Sequence, residues 1–155
     1  VHDEAQALFD FYEALAEEKQ VRLQLVGAAE IAGDRLMLRR ALSNLLSNAI
    51  RYTPPGEQVV VDIQGDLHGT TVDVVNTGPS IDAQMIPRLF DRFFRADKSR
   101  KQLDSDGAGL GLSITQAIVH AHRGRISVSS ADGRTCFSMY FPSAQNIGKR
   151  LTTDA

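Results

Sequence analysis

The sequence predicts an α+β fold, a two-layer sandwich in which helices cover one face of a mixed, mostly antiparallel β-sheet. Segments with the apolar spacing of amphipathic helices alternate with short segments that have the two-residue period of strands. Two pairs of these strands are separated only by short turns that contain Gly, which favours antiparallel pairing. The length of 155 residues and the hydrophobic content of 43% fit a single domain with one core.

Helical spacing predicts three longer helices and one short one. They cover residues 3–18, Asp34 to about Arg51, about 83–90, and Leu112–His122. Asp34 can cap the second helix, Thr53-Pro54-Pro55-Gly56 ends it, and Gly124 is predicted to end the last one. The buried stripe of the second helix is predicted to consist of Leu38, Ala41, Leu42, Leu45 and Ala49.

Alternation predicts five strands, at Val21–Val26, Val59–Gln64, Thr71–Val75, Arg125–Ser130 and Thr135–Phe141. The last two form a hairpin around Asp132-Gly133. Residues 95–106 are charged and aperiodic, and a loop of this length is often a lid over a site. We divide the chain into an N-terminal helix packed into the same domain (residues 1–20), a main body (21–143) and a polar tail (144–155).

Composition and charge exclude several classes of protein. The 17 Lys and Arg against 19 Asp and Glu leave a formal net charge of −2, which does not favour a nucleic-acid-binding surface. The single cysteine, Cys136, cannot form an internal disulfide, and no Cys and His spacing resembles a zinc site. No apolar run approaches the roughly 18 residues that span a bilayer, so we expect a soluble fragment that makes no membrane contact.

A row of polar side chains runs along the second predicted helix. Asn44 and Asn48 lie four residues apart, and Arg51 and Tyr52 follow one turn later on the same side. A carboxamide oxygen suits a Mg²⁺ ion that already carries phosphate, a guanidinium can contact phosphate, and a Tyr ring can lie beside a base. Taken alone, the row is equally compatible with two solvated Asn side chains.

Three segments further along the chain favour a nucleotide site. Asn76-Thr77-Gly78-Pro79-Ser80-Ile81 follows a strand directly, which places a carboxamide and a turn at a sheet edge. Leu89-Phe90-Asp91-Arg92-Phe93-Phe94-Arg95 is rich in aromatic rings and guanidinium groups. Gly107-Ala108-Gly109-Leu110-Gly111-Leu112 leads into the last helix, where glycines and a helix N-terminus favour phosphate, although a flexible hinge is the alternative.

The spacing of the glycines excludes two common phosphate-binding motifs. It is not that of the dinucleotide fingerprint, and a charged loop rather than a strand precedes it. No segment has the pattern of a P-loop either.

In this order, the segments resemble the motifs of sensor histidine kinases. Asn44-Leu45-Leu46-Ser47-Asn48-Ala49 resembles their N box and residues 76–81 their first glycine box. Residues 90–94 resemble the F box and residues 107–112 the second glycine box. The resemblance covers about residues 34–142 and implies the catalytic, ATP-binding domain of these kinases, which has the Bergerat fold. The sequence of residues 42–54 is most similar to that of membrane-bound heavy-metal sensors of the copper type.

Carried onto this sequence, the resemblance implies ATP and Mg²⁺ as cofactors and assigns roles to single residues. Asn48 is implied to ligate Mg²⁺ between the phosphates, with Asn44 supporting it, and Arg51 to contact phosphate. Tyr52 is implied to cover the adenine and Asn76 to read its amino group. The other residues implied to contact ATP are Gly78, Ile81, Phe90, Arg95, Lys98, Gly107, Gly109, Leu110, Gly111 and Leu112.

Two positions depart from the pattern of the family. Its first glycine box begins with Asp and has a second Gly, whereas this sequence has Asn76 and Ser80 there. A neutral amide oxygen accepts a weaker hydrogen bond from the adenine amino group than a carboxylate does. We therefore expect an ATP dissociation constant of roughly tens of micromolar, equivalent to a binding free energy of about −6 kcal/mol.

The implied activity is transfer of the γ-phosphoryl group to a His on a dimerisation domain of the same protein, for relay to an Asp of a response regulator. None of His2, His68, His120 and His122 begins a phosphoacceptor motif, so we expect this fragment to follow that domain and not to label itself. The resemblance also implies a bacterial inner-membrane sensor of a two-component system, with this fragment in the cytoplasm.

Two alternatives use the same resemblance. One is a related ATPase or Ser kinase, but the Glu that activates water in chaperone and gyrase-type ATPases is matched here by Asn44, which cannot act as a general base. The other is a degenerate domain that only docks partners, for which the changes at Asn76 and Ser80 leave room.

Overall fold

The computed structural model describes residues 2–79, 84, 86–90 and 111–143. Its helices are α1 (His2–Glu18), α2 (Arg35–Tyr52) and α3 (Gly111–Ala121), with a short 3₁₀-helix at Ile86–Arg88. Its strands are β1 (Arg22–Gly27), β2 (Gln58–Gly65), β3 (Gly69–Thr77), β4 (Arg125–Ala131) and β5 (Arg134–Pro142). Within these residues, the five predicted strands and the three longer helices are confirmed.

The strands form one sheet in the order β1-β2-β3-β5-β4. Strand β1 pairs with β2 in parallel, because α2 lies between them in the chain and returns it to the same end of the sheet. The pairs β2–β3, β3–β5 and β4–β5 are antiparallel. The predicted α+β class with a mixed, mostly antiparallel sheet is therefore confirmed.

The core lies between the helices and one face of the sheet. Inward side chains of the sheet such as Val61, Val74 and Phe137 form one buried cluster there with side chains of α2. The helix buries Ala41, Leu42, Leu45, Leu46, Ala49 and Ile50. Leu38 of the predicted stripe is only partly buried, while Leu46 and Ile50 join the core. The stripe is wider than predicted because α1 and α3 both pack against α2 in addition to the sheet.

Two helix ends show how the local sequence sets the boundaries. The carboxylate of Asp34 accepts hydrogen bonds from the backbone N–H groups of Leu36 and Met37, which confirms the predicted cap of α2. Helix α3 ends at Ala121, one residue before the predicted end, and the left-handed residue of the turn that follows is Arg123, with φ 61°, rather than Gly124. Gly124 is required for a different reason, because a Cβ there would lie 2.1 Å from the carbonyl oxygen of Tyr140.

None of the helices in the described part of the chain combines the length and apolar character that crossing a bilayer requires.

Candidate functional site

The polar row of α2 lies at the border of its buried stripe. Asn44 and Asn48 are both half-buried, and each is followed directly by a buried residue of the core. Arg51 is half-buried in the last turn, and the side chain of Tyr52 is 37% exposed. The row thus lies beside the core rather than on the solvated back of the helix, as its position on the helical wheel predicted.

Asn44 links α2 to the start of α3. Its side-chain amide donates a hydrogen bond to the carbonyl oxygen of Gly111 over 3.2 Å. The hydroxyl of Thr115, which is fully buried, donates to the same carbonyl over 2.8 Å. The helix that begins in the predicted second glycine box is therefore anchored to the predicted N box through one backbone oxygen.

Asn76 lies at the end of β3 on the core face of the sheet. Its side chain is only 7% exposed, which is unusual for Asn on a face otherwise lined by Val72 and Val74. In the register of the sheet it stands between Val59 of β2 and Thr135 of β5. A buried carboxamide at a strand end can present donor and acceptor groups to a ligand edge.

Thr135 is a polar neighbour of Asn76 that sequence reasoning missed. It is 3% exposed, and its hydroxyl lies 2.8 Å from that of Ser130. A signal was available, because Thr135 takes an inward position on a strand whose other inward residues, such as Phe137 and Met139, are apolar. Asn76 and Thr135 together form a small buried polar patch at the edge of the core.

The turn after β3 packs directly against the end of α2. Gly78 has φ +136°, and a Cβ at this position would lie 2.8 Å from Cδ of Pro54. Its N–H donates to the carbonyl of Gly133 over 2.9 Å, which also ties the turn to the β4–β5 hairpin. Only Gly satisfies both the backbone angle and this close approach. The end of the helix that carries the polar row is thereby joined to the strand end that carries Asn76.

Two further predicted site residues, Phe90 and Leu112, are among the described residues. The Phe90 ring packs on the core at 6.3 Å from the ring of Phe137, in an edge-to-face arrangement. Leu112 packs partly buried in the first turn of α3. The predicted residues Ile81, Arg95, Lys98, Gly107, Gly109 and Leu110, with Ser80 and the predicted lid over residues 95–106, lie outside the described residues.

The metal ligands that the described residues offer suit a Mg²⁺ ion that is bound together with phosphate better than they suit a metal ion held by the protein alone. No group of three or more His, Cys, Asp or Glu in the described ranges could hold a metal ion. Asn48 offers a neutral carboxamide oxygen, and Mg²⁺ accepts one such protein ligand when phosphate oxygens and water complete its octahedron. The residues present are therefore compatible with Mg²⁺ bound together with a nucleotide.

Known proteins match this chain in sequence and in fold. The sequence profile of the family "Histidine kinase-, DNA gyrase B-, and HSP90-like ATPase" matches residues 33–145. Sensor histidine kinase CusS of Escherichia coli O157:H7 is 53% identical over 141 residues, which cover 90% of this chain and 29% of that protein. Probable sensor protein PcoS of Escherichia coli is 41% identical over 136 residues, covering 88% and 29% respectively. The catalytic domain of histidine kinase ThkA has the same fold, with a TM-score of 0.79 at 22% identity and 92% of each chain covered.

The matched region includes every element that builds the site, from the cap of α2 to the end of β5. The chain spans less than a third of the length of both curated relatives, so these matches describe one part of such proteins. The resemblance identified from the four motifs is confirmed, and the chain belongs to the family of histidine kinase-, DNA gyrase B- and HSP90-like ATPases.

Proposed function

We propose that this chain is the catalytic ATP-binding domain of a sensor histidine kinase. The observation that carries the proposal is the packing of Gly78 against Pro54, which joins the end of the Asn44–Arg51 row to the turn after the buried Asn76. Groups suited to phosphate and a group suited to a base edge are thereby combined in one region of the fold. The domain boundary is proposed at about residue 20, with residues 21–143 forming the catalytic body.

Each residue of the site has a proposed task. Asn48 holds Mg²⁺, which when bound neutralises charge on the phosphates, and Arg51 contacts a phosphate oxygen. The ring of Tyr52 covers the adenine, and the Oδ1 of Asn76 accepts a hydrogen bond from its amino group. Gly78 lets the base approach the backbone. The remaining proposed contacts are those of Ile81, Phe90, Arg95, Lys98, Gly107, Gly109, Leu110, Gly111 and Leu112.

The proposed reaction is phosphoryl transfer to a His on the dimerisation domain of the full protein. A ring nitrogen of that His forms a bond to the γ-phosphorus as the bond to the β–γ bridging oxygen breaks, and ADP leaves with that oxygen. Because the transition state is loose, this chain contributes mainly position and charge neutralisation. Asn44 supports transfer over hydrolysis, because its amide donates to Gly111 and cannot take a proton from water.

The setting of this activity is also part of the proposal. The full protein would be an inner-membrane sensor of the heavy-metal branch, with this domain in the cytoplasm and a response regulator as the final phosphoryl acceptor. The resemblance of residues 42–54 and the similarity to CusS and PcoS support this setting.

Incubation with ATP labelled at the γ-phosphate tests the activity. The isolated chain should remain unlabelled, whereas a longer form of the same protein that includes its acceptor helix should gain an acid-labile phosphoryl group. The label should then pass to an added response regulator. Rapid release of labelled phosphate by the isolated chain would identify an ATPase instead, and absence of any adenine-nucleotide binding would identify a docking module.

A further inference from the structure

The turn between α1 and β1 holds the side chain of Lys19 in a defined place. The helix ends in a Schellman motif, in which Gln20 adopts φ 62° and its N–H donates to Glu17 while the N–H of Val21 donates to Ala16 over 2.8 Å. Val21 is 5% exposed and anchors the turn in the core. The backbone of Lys19 is therefore fixed on both sides, and its half-buried side chain leaves the turn toward α2.

The ammonium group of Lys19 caps the C-terminus of α2. Its Nζ donates to the carbonyl oxygen of Ile50 over 2.6 Å and also to the carbonyl oxygen of Arg51. The carbonyl of Ile50 also accepts from the N–H of the C-cap residue Thr53 over 3.4 Å. Carbonyls of the last turn have no partner further along the helix, and a cation next to them complements the negative end of the helix dipole. Burial, and secondly the nearby charge of Arg51, lower the pKa of Lys19 from its ordinary value. The neighbouring carbonyl of Ala49 accepts from the hydroxyl of Thr53 over 2.5 Å.

Further contacts make α1 and its turn a brace for α2. The N–H of Gly56, in the loop after α2, donates to the carbonyl of Gln20 over 2.8 Å. Directly before Asn44, the first residue of the polar row, the hydroxyl of Tyr12 in α1 lies 2.7 Å from that of Ser43. The brace thus contacts α2 at residue 43, next to Asn44, and at its last turn, where Arg51 is located.

We propose that Lys19 is a positioning residue for nucleotide binding, which fixes the last turn of α2 so that the guanidinium of Arg51 is held ready for phosphate. The inference rests on the proposed function. Lys19 bonds to the carbonyl of Arg51 itself, so release of this contact frees the backbone from which the phosphate-binding side chain projects. A guanidinium that must be reordered on binding contributes less affinity than one already held in place.

The test compares Mg-ATP binding by calorimetry in the wild type, Lys19→Met, Lys19→Arg, Arg51→Ala and the double variant. Lys19→Met should weaken binding about tenfold, and Lys19→Arg, which keeps a charged donor, should recover most of the affinity. The control is Arg22→Met, which removes a positive charge from an exposed side chain three residues away and should change affinity less than about twofold. Urea unfolding of each variant verifies that the compared proteins are folded.

A double-mutant cycle separates positioning from simple stabilisation. If Lys19 acts through Arg51, the loss caused by Lys19→Met should disappear in the Arg51→Ala background. An equal loss in both backgrounds, or full affinity in Lys19→Met, overturns the inference. If Lys19→Met does not fold, Lys19→Gln replaces it in the double-mutant cycle, because the Gln side chain retains a donor for one of the two carbonyls. A wild type that binds no ATP overturns the proposed function instead, so the two failures are distinguishable.

Discussion

The side-chain amide of Asn44 donates to the carbonyl oxygen of Gly111, 3.2 Å away, and so connects α2 to the first residue of α3. The two residues lie 67 positions apart in the chain, Asn44 in the segment that resembles the N box and Gly111 in the segment that resembles the second glycine box. Because the amide is occupied as a donor, Asn44 acts as a structural link within the site. This role differs from that of a carboxylate at the same position, which could only accept.

Asn44→Asp tests that link. The substitution keeps the shape but places a carboxylate oxygen against the carbonyl of Gly111, so the free energy of unfolding should fall by about 1–3 kcal/mol at neutral pH. Asn48→Asp is the matched control, one turn further along the same half-buried row. In the absence of ligand it should lower the free energy of unfolding by less than half as much as Asn44→Asp does. Urea unfolding measures both. Equal losses in the two variants would contradict the assigned hydrogen bond.

The contact between Gly78 and Pro54 predicts a cost for any side chain at residue 78. Gly78→Ala meets both an unfavourable φ of +136° and an approach of 2.8 Å to Pro54, and we expect a loss of about 2–4 kcal/mol together with weaker ATP binding. Gly56→Ala separates the two causes, because its φ is +90° but nothing lies within 4 Å of the added Cβ. It should lose only about 1–2 kcal/mol. Thermal unfolding that ranks Gly56→Ala as the more damaging change would contradict the account.

Asn76→Asp introduces the carboxylate acceptor that the family pattern has at this position. A carboxylate accepts a stronger hydrogen bond from an adenine amino group, so ATP should bind about fivefold more tightly and discrimination against GTP should increase. The free protein should become less stable, because a side chain that is 7% exposed would then carry a charge. Paired titrations of ATP and GTP measure the selectivity. Unchanged selectivity would show that Asn76 does not contact the base.

Asp66 predicts one component of the acid sensitivity of the fold. The backbone N–H groups of His68 and then Gly69 donate to its carboxylate and lower the pKa of Asp66. A depressed folded-state pKa means that the carboxylate stabilises the fold above its unfolded pKa and that this contribution is lost as the pH falls through the lower folded value, below about pH 4.

Asp66→Asn keeps an acceptor but removes the titration. The stability difference between wild type and this variant should therefore be constant near neutral pH and shrink as the pH falls below the unfolded-state pKa of about 4. Chemical unfolding across this range measures it. A difference that does not depend on pH would mean that the turn does not hold the carboxylate in its charged form.

Much of this architecture could be predicted from local sequence. The period of the apolar residues, the cap at Asp34 and the Pro-rich stop after α2 are local signals, and the inward position of Asn76 follows from strand alternation. Thr135 could have been predicted in the same way, since it interrupts an apolar alternation.

The long-range contacts of the site could not be predicted in this way. That Lys19 reaches the carbonyls of α2 depends on a left-handed Gln20, a residue type that seldom adopts this conformation. Arg123 is left-handed in the turn after α3, and Gly124 is required there by its close approach to the carbonyl of Tyr140. Such choices are decided by tertiary packing and not by the preferences of single residues.

Calorimetric titration of ATP into the wild type and Asn48→Ala, with Mg²⁺ and with chelator, tests the central claim most directly. We predict binding of roughly tens of micromolar that requires Mg²⁺ and falls at least about tenfold in Asn48→Ala, because the ion would lose its protein ligand. Gln24→Ala, which removes an exposed carboxamide from β1, should bind as the wild type does. Binding that is equal with and without Mg²⁺ and unaffected by Asn48→Ala would contradict the account.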